Sequence, residues 1–293
     1  MEQRGIDVSI YQPNIDWSKA KEQIAFAICK IGGSECGRFE DRTFRYNYAN
    51  ARANGIQLGG YFMGGKGFTS AEAGRADAMY CLQLISGLSF EFPVFIDLEL
   101  PTGATKQGNT DACIAFCETI KSAGFKTGIY ASDISGFKER LDLARVQNYD
   151  KWVARYGSQP QYVNNWDIWQ YSSDGKIAGV NGRVDVNICR KDYTGNTPEV
   201  YFYMGADFSP VFNPEYYSNK YADLKQAFGD DHSALWQHFT TFGMWEFRQA
   251  SAEFNPVVYR DRYADLEKAF GDNLPLYYWH YCYFGKKEGR SAI

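Results

Sequence analysis

Over roughly its first 190 residues this chain alternates short apolar runs with amphipathic stretches of roughly ten to fifteen residues. That alternation restricts the fold more than any other feature. Strands are predicted over residues 5–10, 25–31, 57–62, 93–98, 126–130, 151–154, 167–171 and 184–188. Helices are predicted over 15–23, 41–53, 70–84 and 111–123, with Asn54-Gly55 and Gly124 as stop signals. Strands separated by helices indicate an α/β fold with a parallel sheet or barrel. In such folds the chemistry collects at the carboxyl ends of the strands. Asp7, Tyr61, Asp97, Glu99, Tyr130, Gln170 and Asp185 all fall at or near those ends.

Among them, the run Phe95-Ile96-Asp97-Leu98-Glu99-Leu100 is the most suggestive. Alternate residues of a strand share a face, so Phe95, Asp97 and Glu99 should project together, with Ile96, Leu98 and Leu100 turned to a hydrophobic layer. Two neighbouring acids perturb each other, because ionising the second beside the first is unfavourable. One stays protonated while the other is charged, the division of labour that glycosidic cleavage needs. Arg4-Gly5-Ile6-Asp7-Val8-Ser9, Asp167-Ile168-Trp169-Gln170-Tyr171 and Gly182-Arg183-Val184-Asp185-Val186-Asn187 bring further polar groups to strand ends.

Other chemistries are excluded by what the region lacks. The only histidines are His232, His238 and His280, so the first two hundred residues hold no Ser-His-Asp triad, Cys-His pair or HExxH zinc site. Cysteines stand at 29, 36, 81, 113, 117, 189 and 282, an odd number without a CxxC pair. Most read as small buried hydrophobes, with room for one bridge. A net charge of −4 without a basic run argues against nucleic acid. No apolar run approaches the ~18 residues of a membrane span. Met1-Glu2-Gln3-Arg4 leads directly into the first strand, so no signal peptide is expected.

Taken in order, these motifs together with Gly59-Gly60-Tyr61 and Gly128-Ile129-Tyr130 resemble the glycoside hydrolase family 25 lysozymes, the Chalaropsis-type muramidases, over residues 4–193. The resemblance implies an irregular (β/α) barrel with fewer helices than the eightfold form. It also implies a peptidoglycan hydrolase that cleaves the β-1,4 bond between N-acetylmuramic acid and N-acetylglucosamine. Glu99 would be the general acid, in partly apolar surroundings supplied by Leu100, Phe62 and Met63. Asp97 would be its ionised partner, orienting the substrate's 2-acetamido group; an inverting route stays open beside this substrate-assisted one. Asp7 and Asp185 match two further active-site acids. Tyr61, Tyr130, Trp152, Tyr156, Trp169 and Tyr171, with Gln170, are the expected sugar-binding residues. No metal or organic cofactor is implied. Two departures bear on glycan preference: Gly59-Gly60-Tyr61-Phe62-Met63 where relatives often have Gly-Ala-Tyr-His-Phe, and Arg155 where an acid or amide is common. The alternatives to a muramidase are a chitin-directed hydrolase or a glycan-binding protein on a lapsed scaffold.

The last third is a tandem repeat. Phe212-Asn213-Pro214 recurs as Phe254-Asn255-Pro256, Tyr221-Ala222-Asp223-Leu224 as Tyr263-Ala264-Asp265-Leu266, and Ala227-Phe228-Gly229-Asp230 as Ala269-Phe270-Gly271-Asp272. His238, Gly243, Glu246 and Arg248 recur as His280, Gly285, Glu288 and Arg290, always at an offset of 42 residues. The expected organisation is a catalytic domain over 1–197, a linker over 198–211, and small helical repeats over 212–253 and 254–293. Residues 198–293 hold 24 of the chain's 50 aromatic residues. That concentration suits a module that grips a cell-wall polymer, with two weak sites adding avidity. The expected partner is therefore the peptidoglycan glycan strand, and the expected place of action is extracellular or at the cell wall, as a secreted autolysin or phage endolysin.

Overall fold

In the computed structural model the described residues are 2–100, 102–193 and 199–293. The chain divides into two compact units, Met1–Leu84 with Phe90–Pro198, and Ile85–Ser89 with Glu199–Ile293. The first is built on β1 (Gln3–Val8), β2 (Phe26–Gly33), β3 (Phe39–Glu40), β4 (Gln57–Met63), β5 (Val94–Asp97), β6 (Thr127–Ser132), β7 (Asp150–Ala154), β8 (Ile168–Gly175) and β9 (Val184–Cys189). The sheet runs β1-β9-β8-β7-β6-β5-β4-β2-β3, and an additional parallel pairing of β1 with β2 closes it into an eight-stranded barrel. The staves are parallel except β9, which runs antiparallel to both β1 and β8.

Helices cover only part of the barrel: α1 (Trp17–Ala20), α2 (Phe44–Ala53), α3 (Ala71–Leu84) and α4 (Lys106–Ser122). β6 is followed by a π-helical turn, Asp133–Lys138, in place of a full helix. The irregular (β/α) barrel expected from the sequence is therefore the fold. Two helices differ in extent. The segment expected as a helix over 15–23 winds only over Trp17–Ala20. By contrast α4 starts five residues before its expected position, because the Thr105 hydroxyl accepts the Gly108 N–H at 3.1 Å and caps an earlier turn. All seven cysteines are free thiols, so the bridge allowed for in the sequence reading does not form. Cys113 and Cys117 are buried, as a pair one helical turn apart on a sheet-facing stripe should be.

Inside, the barrel is a packed core of rings. Phe26 stacks on Phe92 at 4.4 Å, and Tyr193 lies 4.7 Å from Phe92. Higher up, Trp152 sits 5.4 Å from Phe95 and 4.3 Å from Tyr130. Such rings fit only where neighbouring staves carry no side chain. A Cβ at Gly5 would lie 2.5 Å from the Phe26 ring, and one at Gly128 would lie 2.5 Å from both the Phe95 ring and the Asp150 carbonyl oxygen. These glycines, each two residues before Asp7 or Tyr130, thus make room for the layer on which the site rests.

The second unit contains the repeats. The first has α5 (Pro214–Lys220), α6 (Ala222–Phe228) and α7 (His232–His238). The second has α8 (Pro256–Arg262), α9 (Ala264–Phe270) and α10 (Pro275–His280). Asn213 and Asn255 cap α5 and α8, each followed by proline at the first helical position. A short hairpin, β10 (Phe202–Tyr203) with β11 (Ala206–Asp207), precedes them, and Phe208 and Val211 are buried in the same core. Of the segment expected as a linker, Pro198 lies outside the described residues. The repeated polar residues lock each copy internally. The Tyr217 hydroxyl is 3.1 Å from His238 Nδ1, and that of Tyr259 is 2.9 Å from His280 Nδ1. Arg248 pairs with Asp223 and Glu246 over the Tyr221 ring; Arg290 pairs with Asp265 and Glu288 over Tyr263. Gly243 and Gly285 are required where these tyrosine hydroxyls press against the backbone.

Gly128→Ala should destabilise the barrel by about 1–3 kcal/mol, since one of the two obstructing groups is a backbone carbonyl that cannot swing away. Urea unfolding followed by tryptophan fluorescence reads this as a lower midpoint at unchanged slope. An unshifted midpoint would mean that the ring layer is loosely packed.

Candidate active site

The carboxyl ends of the staves bring the expected acids together. Asp7 and Asp185 are directly paired across β1 and β9. Asp97 is the last residue of β5, in register with Met63 on one side and Tyr130 on the other. All three project inward, because each is separated by one residue from another inward side chain. Together with Glu99 they line one cleft of about 210 Å³. Tyr61, Tyr130, Trp152, Tyr156 and Gln170 line it as well.

Glu99 does not sit as the sequence suggests. β5 stops at Asp97, so Glu99 stands two residues beyond it in a loop, and its side chain is exposed. Arg140 holds that loop by donating to the carbonyl oxygens of Glu99 at 2.9 Å and Leu100 at 3.0 Å. Nor do the expected residues wrap Glu99 in apolar surface. Phe62 is turned outward, 6.1 Å from Phe116 of α4, and only Met63 reaches the cleft. The acid in dry surroundings is Asp97, 2% exposed, whose Oδ1 has no hydrogen-bond partner among the described residues. Burial pushes its carboxyl well above the ordinary range, Glu99 adds to that, and Lys30 opposes it. The expected ionised Asp97 beside a shielded Glu99 is thus reversed in the free cleft.

Asp7 is the best-connected group. Its Oδ2 accepts from Gln170 Nε2 at 3.0 Å and from Asn187 Nδ2 at 2.7 Å. Those amides are themselves oriented. Gln170 Oε1 accepts the hydroxyls of Tyr130 at 2.9 Å and Tyr156 at 3.1 Å, and Asn187 Oδ1 accepts the indole N–H of Trp152 at 2.7 Å. Burial raises the Asp7 carboxyl to about 8, with Asp185 pushing the same way and the two amides pulling back. Burial, aided by Glu99, raises Asp185 to about 6.

Two expected sugar platforms are absent from this cleft. β8 alternates, so with Gln170 inward, Trp169 and Tyr171 turn to the opposite face. There Trp169 lies between Trp166 at 5.9 Å and Tyr171 at 5.7 Å, and donates its indole N–H to the Arg155 carbonyl. Sequence reasoning also missed members of the site. Lys30 lines the cleft, paired with Glu35 at 2.6 Å. Asn187 was legible in principle: it follows Asp185 by two residues, as Glu99 follows Asp97, and so shares its face. Ser9, Tyr11 and Gln12 come from the loop after β1 and carry no periodic signal.

With this geometry in hand, the comparisons with known proteins have a place. The family model described as Glycosyl hydrolases family 25 matches residues 6–180. The chain is 29% identical over 200 residues to Lysozyme M1 of Streptomyces globisporus, covering 63% of this chain and 66% of that protein. It is 25% identical over 185 residues to an autolytic lysozyme of Clostridium acetobutylicum, covering 63% of this chain and 55% of the relative. Among solved structures, the bacterial lysozyme from Streptomyces coelicolor superposes with a TM-score of 0.54 at 27% identity, over 65% of this chain and 93% of that one.

The raised acids make stability depend on pH. A carboxyl whose folded value lies above its unfolded value of about 4 favours the protonated form. Its contribution is full below that value and is lost as pH rises through the folded one. Asp185 and Asp7 place the loss between about pH 4 and pH 8, the upper part belonging to Asp7. The melting temperature should fall across this range, and Asp7→Asn should flatten it between pH 6 and 8. An unchanged slope in that variant would show that Asp7 does not titrate there.

Proposed function

The chain belongs to glycosyl hydrolases family 25, and from that membership we propose that it is a lysozyme acting on peptidoglycan. It cleaves the β-1,4 bond between N-acetylmuramic acid and N-acetylglucosamine at the bacterial cell wall. The observation that carries this reading is the asymmetry of two neighbouring acids: Asp97 buried with an unpartnered oxygen, Glu99 exposed on the same cleft.

Buried and lacking a donor, Asp97 suits an amide N–H, which the substrate's acetamido group supplies. Burial raises its basicity, which strengthens that hydrogen bond when the carboxyl is ionised. So held, the acetamido carbonyl oxygen attacks the anomeric carbon. Glu99 gives its proton to the departing glycosidic oxygen as the C–O bond breaks, then takes a proton from the water that opens the cyclic intermediate. Two acids on one strand end lie on one side of the sugar, which favours this route over direct attack by Asp97. Trp152 and Tyr130 form the apolar floor for the ring, fixed by their bonds to Asn187 and Gln170.

Glu99→Gln should lower the release of new muramic acid reducing ends from purified peptidoglycan by about 10²-fold or more, read by mass spectrometry. Asp97→Asn should lower it too, through kcat more than KM. Muramic ends that persist in Glu99→Gln would overturn the acid assignment. N-acetylglucosamine ends from chitin, without muramic ends, would make this a chitin-directed hydrolase. Binding without any product would leave a glycan-binding protein.

The repeats are proposed to hold the wall polymer. Their support is a pair of exposed rings at equivalent positions, Phe242 at 56% and Phe284 at 43%, each beside the histidine of its own copy. Trp245, Tyr283 and Trp279 extend these patches; the last two stack at 5.1 Å. Replacing Phe242 and Phe284 by alanine should weaken co-sedimentation with insoluble cell walls about tenfold or more, since two weak sites act together. Hydrolysis of soluble glycan fragments should not follow that loss. Unchanged co-sedimentation would assign these rings no part in anchoring.

A further inference from the structure

A second cavity, of about 270 Å³, adjoins the catalytic cleft, and Glu99, Tyr130 and Tyr156 line both. These three residues therefore form the wall between two chambers. A general acid must touch the oxygen that joins two sugars, so a carboxylate on such a wall has one sugar on each side.

The chambers differ in charge. The first holds Asp7, Asp97 and Asp185 with Lys30. Beside Glu99, the second has a single charged side chain, Arg155, together with the hydroxyls of Ser132 and Ser135, which lie 2.6 Å apart. An acid-rich chamber suits the sugar that develops positive charge at its anomeric carbon, and the second chamber is left for the departing part of the strand.

Arg155 is fixed before any substrate arrives. Its Nη1 pairs with Asp133 at 2.7 Å, and Nε donates to Ser158 at 3.0 Å. Asp133 does not use the arginine up. It also accepts backbone N–H groups from Gln161 at 2.9 Å, Tyr162 at 3.3 Å and Val163 at 2.9 Å, which spread its charge. Nη2 makes no bond to the described residues, so one edge of a rigid cation remains for a ligand.

We propose that the second cavity seats the leaving side of the glycan and that Arg155 selects strands bearing a carboxylate there, as the lactyl group of a muramic residue does. This rests on the muramidase reading, and it adds a specificity determinant. Guanidinium suits the role, since its planar fork recognises carboxylates better than the amide or acid often found at this position in the resembling family.

The test crosses enzyme and substrate. Peptide-free glycan strands are prepared with free lactyl carboxylates and as their methyl esters, and kcat/KM is measured on each with the full chain. The intact protein should prefer the free acid about tenfold, and 0.5 M salt should compress that preference by screening. Arg155→Gln should reduce it to about twofold or less, and Arg155→Lys should retain part of it. A wild-type preference near one overturns the proposal whatever the variants do. An undiminished preference in Arg155→Gln overturns it as well, leaving Arg155 as a brace for Asp133. Release of muramic ends from neither substrate would instead overturn the muramidase reading, a different outcome.

Discussion

A buried carboxyl group, Asp7, ties together the mouth of the barrel. It is held by Gln170 from β8 and Asn187 from β9, and through their carbonyl oxygens it reaches Tyr130 on β6 and Trp152 on β7. Each amide has its donor end on Asp7 because a hydroxyl or indole N–H occupies its acceptor end. The network is fully connected, the condition under which buried polar groups give a unique arrangement and not a set of alternatives. Its members are also the cleft's wall and floor, so the same bonds that align five staves fix the surface on which a sugar rests. The cost of burying the group appears in its raised proton affinity.

Much of this was legible in the residues. The alternation of strands and helices was enough for the barrel class, and four acids at strand ends were enough to locate the cleft. Period-two reasoning placed Phe95 and Asp97 inward, and they are. It failed for Glu99 because a strand's end is decided by pairing partners and not by its own sequence: β5 loses its register with β4 and β6 at Asp97. Trp169 and Tyr171 were misjudged for a related reason. Aromatic character identifies a possible sugar platform, but the face is decided by Gln170 between them. The loop after β1 stayed invisible because irregular backbone leaves no periodic trace.

The repeats illustrate how self-similarity separates structure from surface. A residue kept at an offset of 42 and buried is explained by the fold: Tyr217 and Tyr259 touch histidines, Arg248 and Arg290 cover tyrosine rings, and Gly243 and Gly285 yield space to hydroxyls. These account for the histidine, glutamate and arginine of each copy without a ligand. Rings kept at the same offset but exposed have no such account, since water contact is unfavourable for them. Phe242 and Phe284 are therefore the informative positions among the 24 aromatic residues of that region.

The displacement of Glu99 from the strand has a chemical consequence. Had β5 run to Glu99, both acids would point into one chamber, competing for one proton and contacting one sugar. Ending the strand at Asp97 sends the second carboxylate outward by a loop that Arg140 pins through two carbonyl oxygens. The buried acid is then free to meet a substituent on the sugar ring, while the exposed one stands where two sugars join. Spacing of one residue along the chain thereby becomes separation of roles in the cleft, and the distinction comes from where the sheet stops pairing.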